Sequence, residues 1–307
     1  MIKTKYSLLL IYLIFASCTK KANQPFDWVN PSDNLQMLGE GKLSRFSADI
    51  YNFAFTIEGD TIFFHTTDRG DGKAGVAIST RTKSGWTQPK PAPFETENYD
   101  EGHVSMSPDG KHLIFTSDRT DDLKGEPKPA DEFFVVSQSS GWTNAKRLTS
   151  TPKMSEKRGT LASDGTFYYW AYQRGSGMYF FKSQIDNNLH MAEPQDADKM
   201  LFENYKGENN PFIHPNKNYM LFAVYGKDDG YGKEDIYISK RKDDSWTRPK
   251  NLGNLINTNG NDTSPFVSPD GKYLFFVSDR LTSKSDTLEN RNIYVIKTSH
   301  IKVFNQT

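Results

Sequence analysis

Ser107-Pro108-Asp109-Gly110-Lys111 runs straight into His112-Leu113-Ile114-Phe115-Thr116-Ser117-Asp118-Arg119. The phrase returns as Ser268-Pro269-Asp270-Gly271-Lys272, followed by Tyr273-Leu274-Phe275-Phe276-Val277-Ser278-Asp279-Arg280. Three worn copies accompany these two. They are Glu58-Gly59-Asp60 before Ile62-Phe63-Phe64-His65, Ala162-Ser163-Asp164-Gly165 before Phe167-Tyr168-Tyr169-Trp170, and His214-Pro215-Asn216-Lys217 before Tyr219-Met220-Leu221-Phe222. With Asp60, Gly110, Gly165, Lys217 and Gly271 as equivalents, the spacings are 50, 55, 52 and 54 residues. A second phrase keeps the same beat: Ser84-Gly85-Trp86-Thr87, Ser140-Gly141-Trp142-Thr143 and Asp244-Ser245-Trp246-Thr247. A third precedes it, as in Glu234-Asp235-Ile236-Tyr237 and Asn292-Ile293-Tyr294-Val295.

Each unit therefore holds four short apolar or aromatic runs parted by turn residues. Asp-Gly after Ser-Pro is hairpin chemistry, because glycine accepts the positive φ of a tight turn. Beyond Pro25 no stretch keeps a helical period, whereas β-branched and aromatic runs of strand length abound. Four strands per unit, repeated at this period, predict an all-β chain folded as a single β-propeller. Five four-stranded blades fit best, and six are the alternative count. The fifth copy ends without its Trp-Thr phrase, and Trp28-Val29-Asn30-Pro31 with Leu38-Gly39 matches what the fourth copy supplies as Trp246-Thr247-Arg248-Pro249 and Leu252-Gly253. The N-terminal segment is thus expected to complete the last blade and close the ring, which removes exposed sheet edges.

These phrases resemble the WD-like propeller repeats of the TolB type: Ser-Pro-Asp-Gly-Lys, a hydrophobic strand, Ser-Asp-Arg, a Gly-rich loop, then Asp-Ile-Tyr. Gly230-Tyr231-Gly232-Lys233-Glu234-Asp235-Ile236-Tyr237 matches the latter half, and the likeness covers residues 45 to 300. It implies a propeller that serves as an interaction platform of the cell envelope.

The first residues read as an address. Lys3 and Lys5 precede an apolar run from Tyr6 to Ala16, too short to span a bilayer, which needs about 20 residues. Phe15-Ala16-Ser17-Cys18 resembles a bacterial lipobox, and the chain has 1 cysteine, which stands at that site. The resemblance implies a signal peptide over residues 1–17 and a lipid on Cys18. Residues 18–25 read as a polar tether and residues 26–307 as the propeller. By the same resemblance, the lack of an Asp beside Cys18, a retention signal of inner-membrane lipoproteins, and of an acidic run like those of surface-exported ones implies an outer-membrane anchor facing the periplasm.

With 38 basic and 38 acidic residues the chain lacks the basic excess that nucleic-acid binding uses. No nucleophile elbow, zinc-protease or phosphate-loop motif occurs, and one cysteine rules out a cysteine-based metal site, so no cofactor is expected.

Candidate site residues come from position within the repeat. Nine residues before the turn stand Glu101, Glu156, Glu208 and Asp262, with Tyr51 in the first copy. Two residues later come His103, Arg158, Asn210 and Ser264, with Phe53 in the first. Residues i and i+2 share one side of a strand, so these could ring one mouth of the central channel. Such a ring would suit a cation, an amine or a sugar. The acids have a second reading as fold maintenance, Glu101 with Arg119 and Asp262 with Arg280. His103 and Arg158 break the repeat and so carry more information. Trp86, Trp142 and Trp246 recur at one repeat position and are expected to pack between blades. Trp170 and His65 align with Phe115 and Phe276 and are expected in the core. The leading functional expectation is a lipid-anchored, non-enzymatic module binding an envelope protein, peptide or glycan at the mouth. The alternative is a glycan-active hydrolase or lyase using the mouth carboxylates.

Overall fold

Antiparallel strands pair into five separate sheets, one for each copy of the repeat. The computed structural model describes residues 26–29, 34–44, 48–121, 123–128, 132–138, 141–148, 155–173, 177–197, 210–243, 245–281 and 290–304. Cys18, the leader and Glu208 lie outside these described residues. Blade 1 holds Ile50–Phe55, Thr61–Thr66 and Gly75–Thr82, with Gly85–Trp86 and Lys90–Pro91 both paired to the third strand. Blade 2 holds Glu101–Met106, His112–Ser117, Glu132–Ser137 and Lys146–Arg147, and blade 3 holds Ser155–Leu161, Thr166–Gln173, Gly177–Gln184 and Gln195–Asp196. Blade 4 holds Phe212–Ile213, Tyr219–Tyr225 and Glu234–Lys242, with Ser245–Trp246 and Lys250–Asn251 on its third strand.

Blade 5 is built from both ends of the chain. Asp262–Val267, Tyr273–Ser278 and Asn292–Lys297 supply three strands, and Gln36–Met37 supplies the fourth, in register with Val295 and Tyr294. The five first strands touch in a closed ring, blade 1 to 2 to 3 to 4 to 5 and back to 1. This is a five-bladed propeller closed by its N-terminal segment. Two faces follow from strand direction. The hairpins joining first to second strands, such as 107–111 and 268–272, lie on one face, here the hairpin face. The connections from second to third strands, and from each blade into the next, lie on the opposite loop face.

Alternation along each strand buries both sides of every blade. In His112–Ser117, Leu113 and Phe115 pack toward blade 1 while Ile114 packs toward blade 3. Five buried clusters result, one for each interface between blades, and the one joining blades 5 and 1 also takes in Phe26, Val29, Leu38 and Leu43. The repeated tryptophans pack as expected: Trp142 meets the Phe63 ring of blade 1 edge-on at 5.2 Å, and Trp86 meets Trp28 at 5.5 Å. Trp246 packs in the cluster between blades 3 and 4.

Two details of the repeat alignment need correction. The Thr56 N–H donates to Thr61 O as the Ser107 N–H donates to His112 O, so Gly59, not Asp60, matches Gly110. In blade 3 the Ala162 N–H donates to Thr166 O, a turn one residue shorter. Strand pairings Phe55↔Ile62, Met106↔Leu113 and Leu161↔Phe167 then make His65 and Trp170 equivalent to Thr116, Ala223 and Val277 rather than to Phe115. Trp170 is buried between blades 3 and 4. His65, expected in the core, instead lies half-buried where the channel opens on the loop face.

Candidate functional site

The corrected register also resets the first blade's site positions to Ile50 and Asn52, in place of Tyr51 and Phe53. Each of the four described full-length first strands carries a register shift here: between Ile50 and Asn52, Gly102 and Ser105, Glu156 and Gly159, and Thr263 and Phe266. Such a bulge inserts an extra residue and breaks the alternation that would aim i and i+2 alike. His103, Asn210 and Ser264, at one repeat position, have φ of 50°, 45° and 50°, a left-handed conformation that is costly for residues other than glycine.

The consequence is a division of labour. Glu101 turns back to its own blade, where it pairs with Arg119 and accepts from Thr96 N–H at 3.1 Å and Thr96 Oγ1–H at 2.8 Å. Arg119 also donates to Phe94 O at 3.0 Å. Asp262 repeats the arrangement with Arg280 at 2.8 Å, the Thr258 hydroxyl at 2.8 Å and the Ser278 hydroxyl at 2.5 Å. Glu156 is buried and accepts the Phe133 N–H of blade 2 at 2.7 Å. Glu208 lies outside the described residues. The described acids of the predicted ring thus hold loops and strands in place, each buried to 97% or more.

The residues two places on meet one another across blades instead. Arg158 of blade 3 donates from Nε to His103 Nδ1 of blade 2 at 2.8 Å. The His103 ring stands edge-on to His65 of blade 1, with centroids 5.1 Å apart. His65 in turn leans on Tyr51 at 5.3 Å, and the Arg291 guanidinium lies 5.0 Å from that tyrosine ring. On the other side, Asn210 of blade 4 donates to the Thr263 hydroxyl of blade 5, which contacts Ser264 Oγ at 3.2 Å. Ser264 Oγ–H then donates to Tyr51 O of blade 1 at 2.6 Å. A chain of polar and ring contacts therefore runs through all five blades at the mouth, in the order 3, 2, 1, 5 and 4. His65 fits because residue 102 is glycine: a Cβ there would sit 2.8 Å from His65 Nδ1.

Electrostatics sharpen the picture. Burial, reinforced by the charges of Arg158 and Lys157, lowers the His65 pKa to about 3. Burial, with Arg158, His65 and Lys157, holds His103 well below the usual histidine range. Both imidazoles are neutral at neutral pH. Since His103 Nδ1 accepts from Arg158, its hydrogen sits on Nε2. Asn52 Oδ1, His65 Nδ1 and Asn210 Oδ1 are buried atoms with no hydrogen-bond partner among the described residues. Asn52, Asn210 and Ser264 also line a cavity of about 110 Å³ that runs along the channel, past Phe212 and Phe266, to the hairpin residues Pro108, Pro215 and Pro269. Buried polar atoms of this kind are normally satisfied by water or a ligand. The site offers neutral hydrogen-bonding groups beside a cationic wall, while Glu101 and Asp262 follow the fold-maintenance reading, paired with Arg119 and Arg280. Among the described residues no group of three or more His, Cys, Asp or Glu side chains could hold a metal ion.

One carboxyl stands apart. Burial pushes Glu95 up to about 7, against the Val76 N–H and the Arg69 guanidinium. It lies in an ion pair with Arg69 at 2.6 Å, partnering the arginine of blade 1 as Glu101 partners that of blade 2. Sequence reasoning missed Glu95, His65 and Asn52. The lone Arg69 without an acid on its first strand was the signal for Glu95.

No family model and no curated protein matches the chain. Among solved structures it is similar to a putative TolB from Agrobacterium tumefaciens, at 16% identity over 81% of this chain and 74% of that one, with a TM-score of 0.46. It is also similar to an exo-beta-1,3-galactanase from Clostridium thermocellum, at 11% identity over 84% and 61%, with a TM-score of 0.49. A third likeness is to the beta-propeller domain of the Trilobed protease from Pyrococcus furiosus, at 13% identity over 82% and 69%, with a TM-score of 0.36. The propeller assignment rests on the strand pairing itself.

Proposed function

We propose that the protein is a lipid-anchored, non-enzymatic binding module of the cell envelope, whose propeller recognises a protein, peptide or glycan at the loop-face mouth. The lipid sits on Cys18, the outer membrane carries the anchor, and the propeller faces the periplasm. The observation that carries this reading is the convergence of the repeat-breaking side chains. His65, His103 and Arg158 meet at one mouth, Asn52 pairs with His65 on the neighbouring strand, and Asn52, His65 and Asn210 each keep a polar atom without a protein partner among the described residues. Fold upkeep favours the same residue in every blade, whereas recognition favours differences between blades. The hydrolase alternative needs two carboxylates free to act about 5 to 10 Å apart. Glu101 and Asp262 are instead each held by an arginine and a threonine.

The test is capture from detergent-solubilised native envelopes by the full-length protein and by its Asn52→Ala/His103→Ala/Arg158→Ala variant, each checked for folding. A ligand retained by the wild type and lost by the variant is the expected result. Equal retention would move recognition off the mouth. Cleavage of an envelope glycan by the wild type would favour the hydrolase.

A further inference from the structure

The two faces of the propeller differ in what they expose and in where the chain leaves them. Leu123, Tyr172, Tyr179, Tyr225, Tyr231, Leu255 and Leu281 are the exposed large apolar side chains among the described residues. All seven stand on the loop face, at the ends of second strands, the starts of third strands or in the loops beyond them. Four are tyrosines, the residue type that interfaces favour because it combines apolar area with a polar tip. The hairpin face carries turn residues and exposed lysines such as Lys111 and Lys272.

The N-terminal segment enters on the hairpin face, close to the channel axis. The Phe26 ring lies 5.1 Å from Phe55 and 6.2 Å from Phe266, both on innermost strands, and 5.4 Å from Phe275. A Cβ on Gly59, in the first hairpin, would touch it at 3.0 Å. Nearby, the Tyr273 hydroxyl donates to Val29 O at 3.0 Å, again at the hairpin end of its strand. Phe26 stands eight steps along the chain from Cys18, and fully extended those steps span at most about 29 Å. From the axis of the hairpin face to the loop face, a chain must first cross three strand spacings outward, about 14 Å. It must then climb the blade edge, about 17 Å for a six-residue strand. That path exceeds the reach of the tether before any loop or side chain is added.

We propose that the anchored propeller stands with its hairpin face toward the bilayer and its loop face, with the polar mouth and the tyrosine rim, directed away from it. The ligand therefore approaches from the aqueous side, and the lipid surface is the neighbour of the hairpins. This rests on the reading that Cys18 carries lipid.

The experiment uses the full-length lipidated protein in phosphatidylcholine/phosphatidylglycerol vesicles containing an acceptor-labelled headgroup lipid. Lipidation occupies the Cys18 sulfur, so one added cysteine takes the donor dye: Lys111→Cys or Lys272→Cys on the hairpin face, Asp100→Cys or Tyr225→Cys on the loop face. Energy transfer is expected to be clearly stronger from both hairpin sites than from both loop sites. Equal transfer, or the reverse order, overturns the orientation. Intact mass and vesicle flotation of wild type and Cys18→Ser separate the two readings. A wild type without added lipid mass that fails to float defeats the anchor itself. A lipidated wild type with the wrong order of transfer defeats only the orientation.

Discussion

Blades 2 and 5 hold a buried arginine in the same way. Arg119 and Arg280 each meet an acid, Glu101 or Asp262, that opens the first strand of the same blade. Blade 1 keeps the arginine, Arg69, but has Ile50 at the acid's position, and its acid arrives from the loop after the outer strand as Glu95. In blades 2 and 5 the clasp fixes the loop that enters the same blade, through Phe94 and Thr96 or Ile256 and Thr258, whereas in blade 1 Arg69 holds the loop that leads on to blade 2. Once Glu95 takes over, the first strand of blade 1 is free to differ. At the mouth that strand carries Asn52, paired with His65 of the second strand.

The most disruptive way to break this comparison is to remove an acid from each version. Glu101→Ala should cost about 3–5 kcal/mol, since it leaves Arg119 buried without its acid, and Glu95→Ala should cost less, about 2–3 kcal/mol, because Arg69 keeps Asp71 at 3.1 Å. Urea unfolding midpoints measure both, and a Glu95→Ala loss below about 1 kcal/mol would end the equivalence. Converting Arg69 to Met beside Glu95→Ala should recover much of the loss. Blade 1 also shares the closing seam, so Phe26→Ala should cost about 3 kcal/mol by opening a cavity among Phe55, Phe266 and Phe275.

A titration sharpens the contrast between clasp and mouth. His65 is held down to about 3 when folded, so below pH 6.5 the unfolded chain binds protons that the folded chain does not. Its contribution is fully present above pH 6.5 and is lost as pH falls toward 3, by up to a few kcal/mol. His65→Gln should flatten that part of the stability profile, measured by thermal unfolding across the window. The smallest effect is expected at Ser264→Gly. There the lost hydrogen bond to Tyr51 O and the relieved left-handed backbone nearly cancel, leaving a change within about 1 kcal/mol.

The architecture was legible in the sequence because hairpin chemistry recurs at each turn, and the missing strand of blade 5 could be matched to Trp28 and Leu38. The site was only half legible. Position within the repeat found His103, Arg158, Asn210 and Ser264, but counting from Asp60 displaced Asn52 and His65 by one residue, because the first turn anchors on Gly59. Alternation then failed for the acids, since a bulge between Gly102 and Ser105 and its counterparts re-aim the strand. No single-residue preference announces a bulge made by His103 or Ser264 at positive φ. Glu95 lay hidden for a different reason: its partner is near in space and on another strand.

The central claim, that recognition belongs to the loop-face mouth, is tested most directly by placing a photo-crosslinking residue at Asp100 beside the mouth, or at Lys111 on the hairpin face. Illumination of cells producing the full-length protein should give a discrete adduct with a non-lipid envelope component from position 100 and none from position 111. The same adduct formed from position 111 alone would contradict the account.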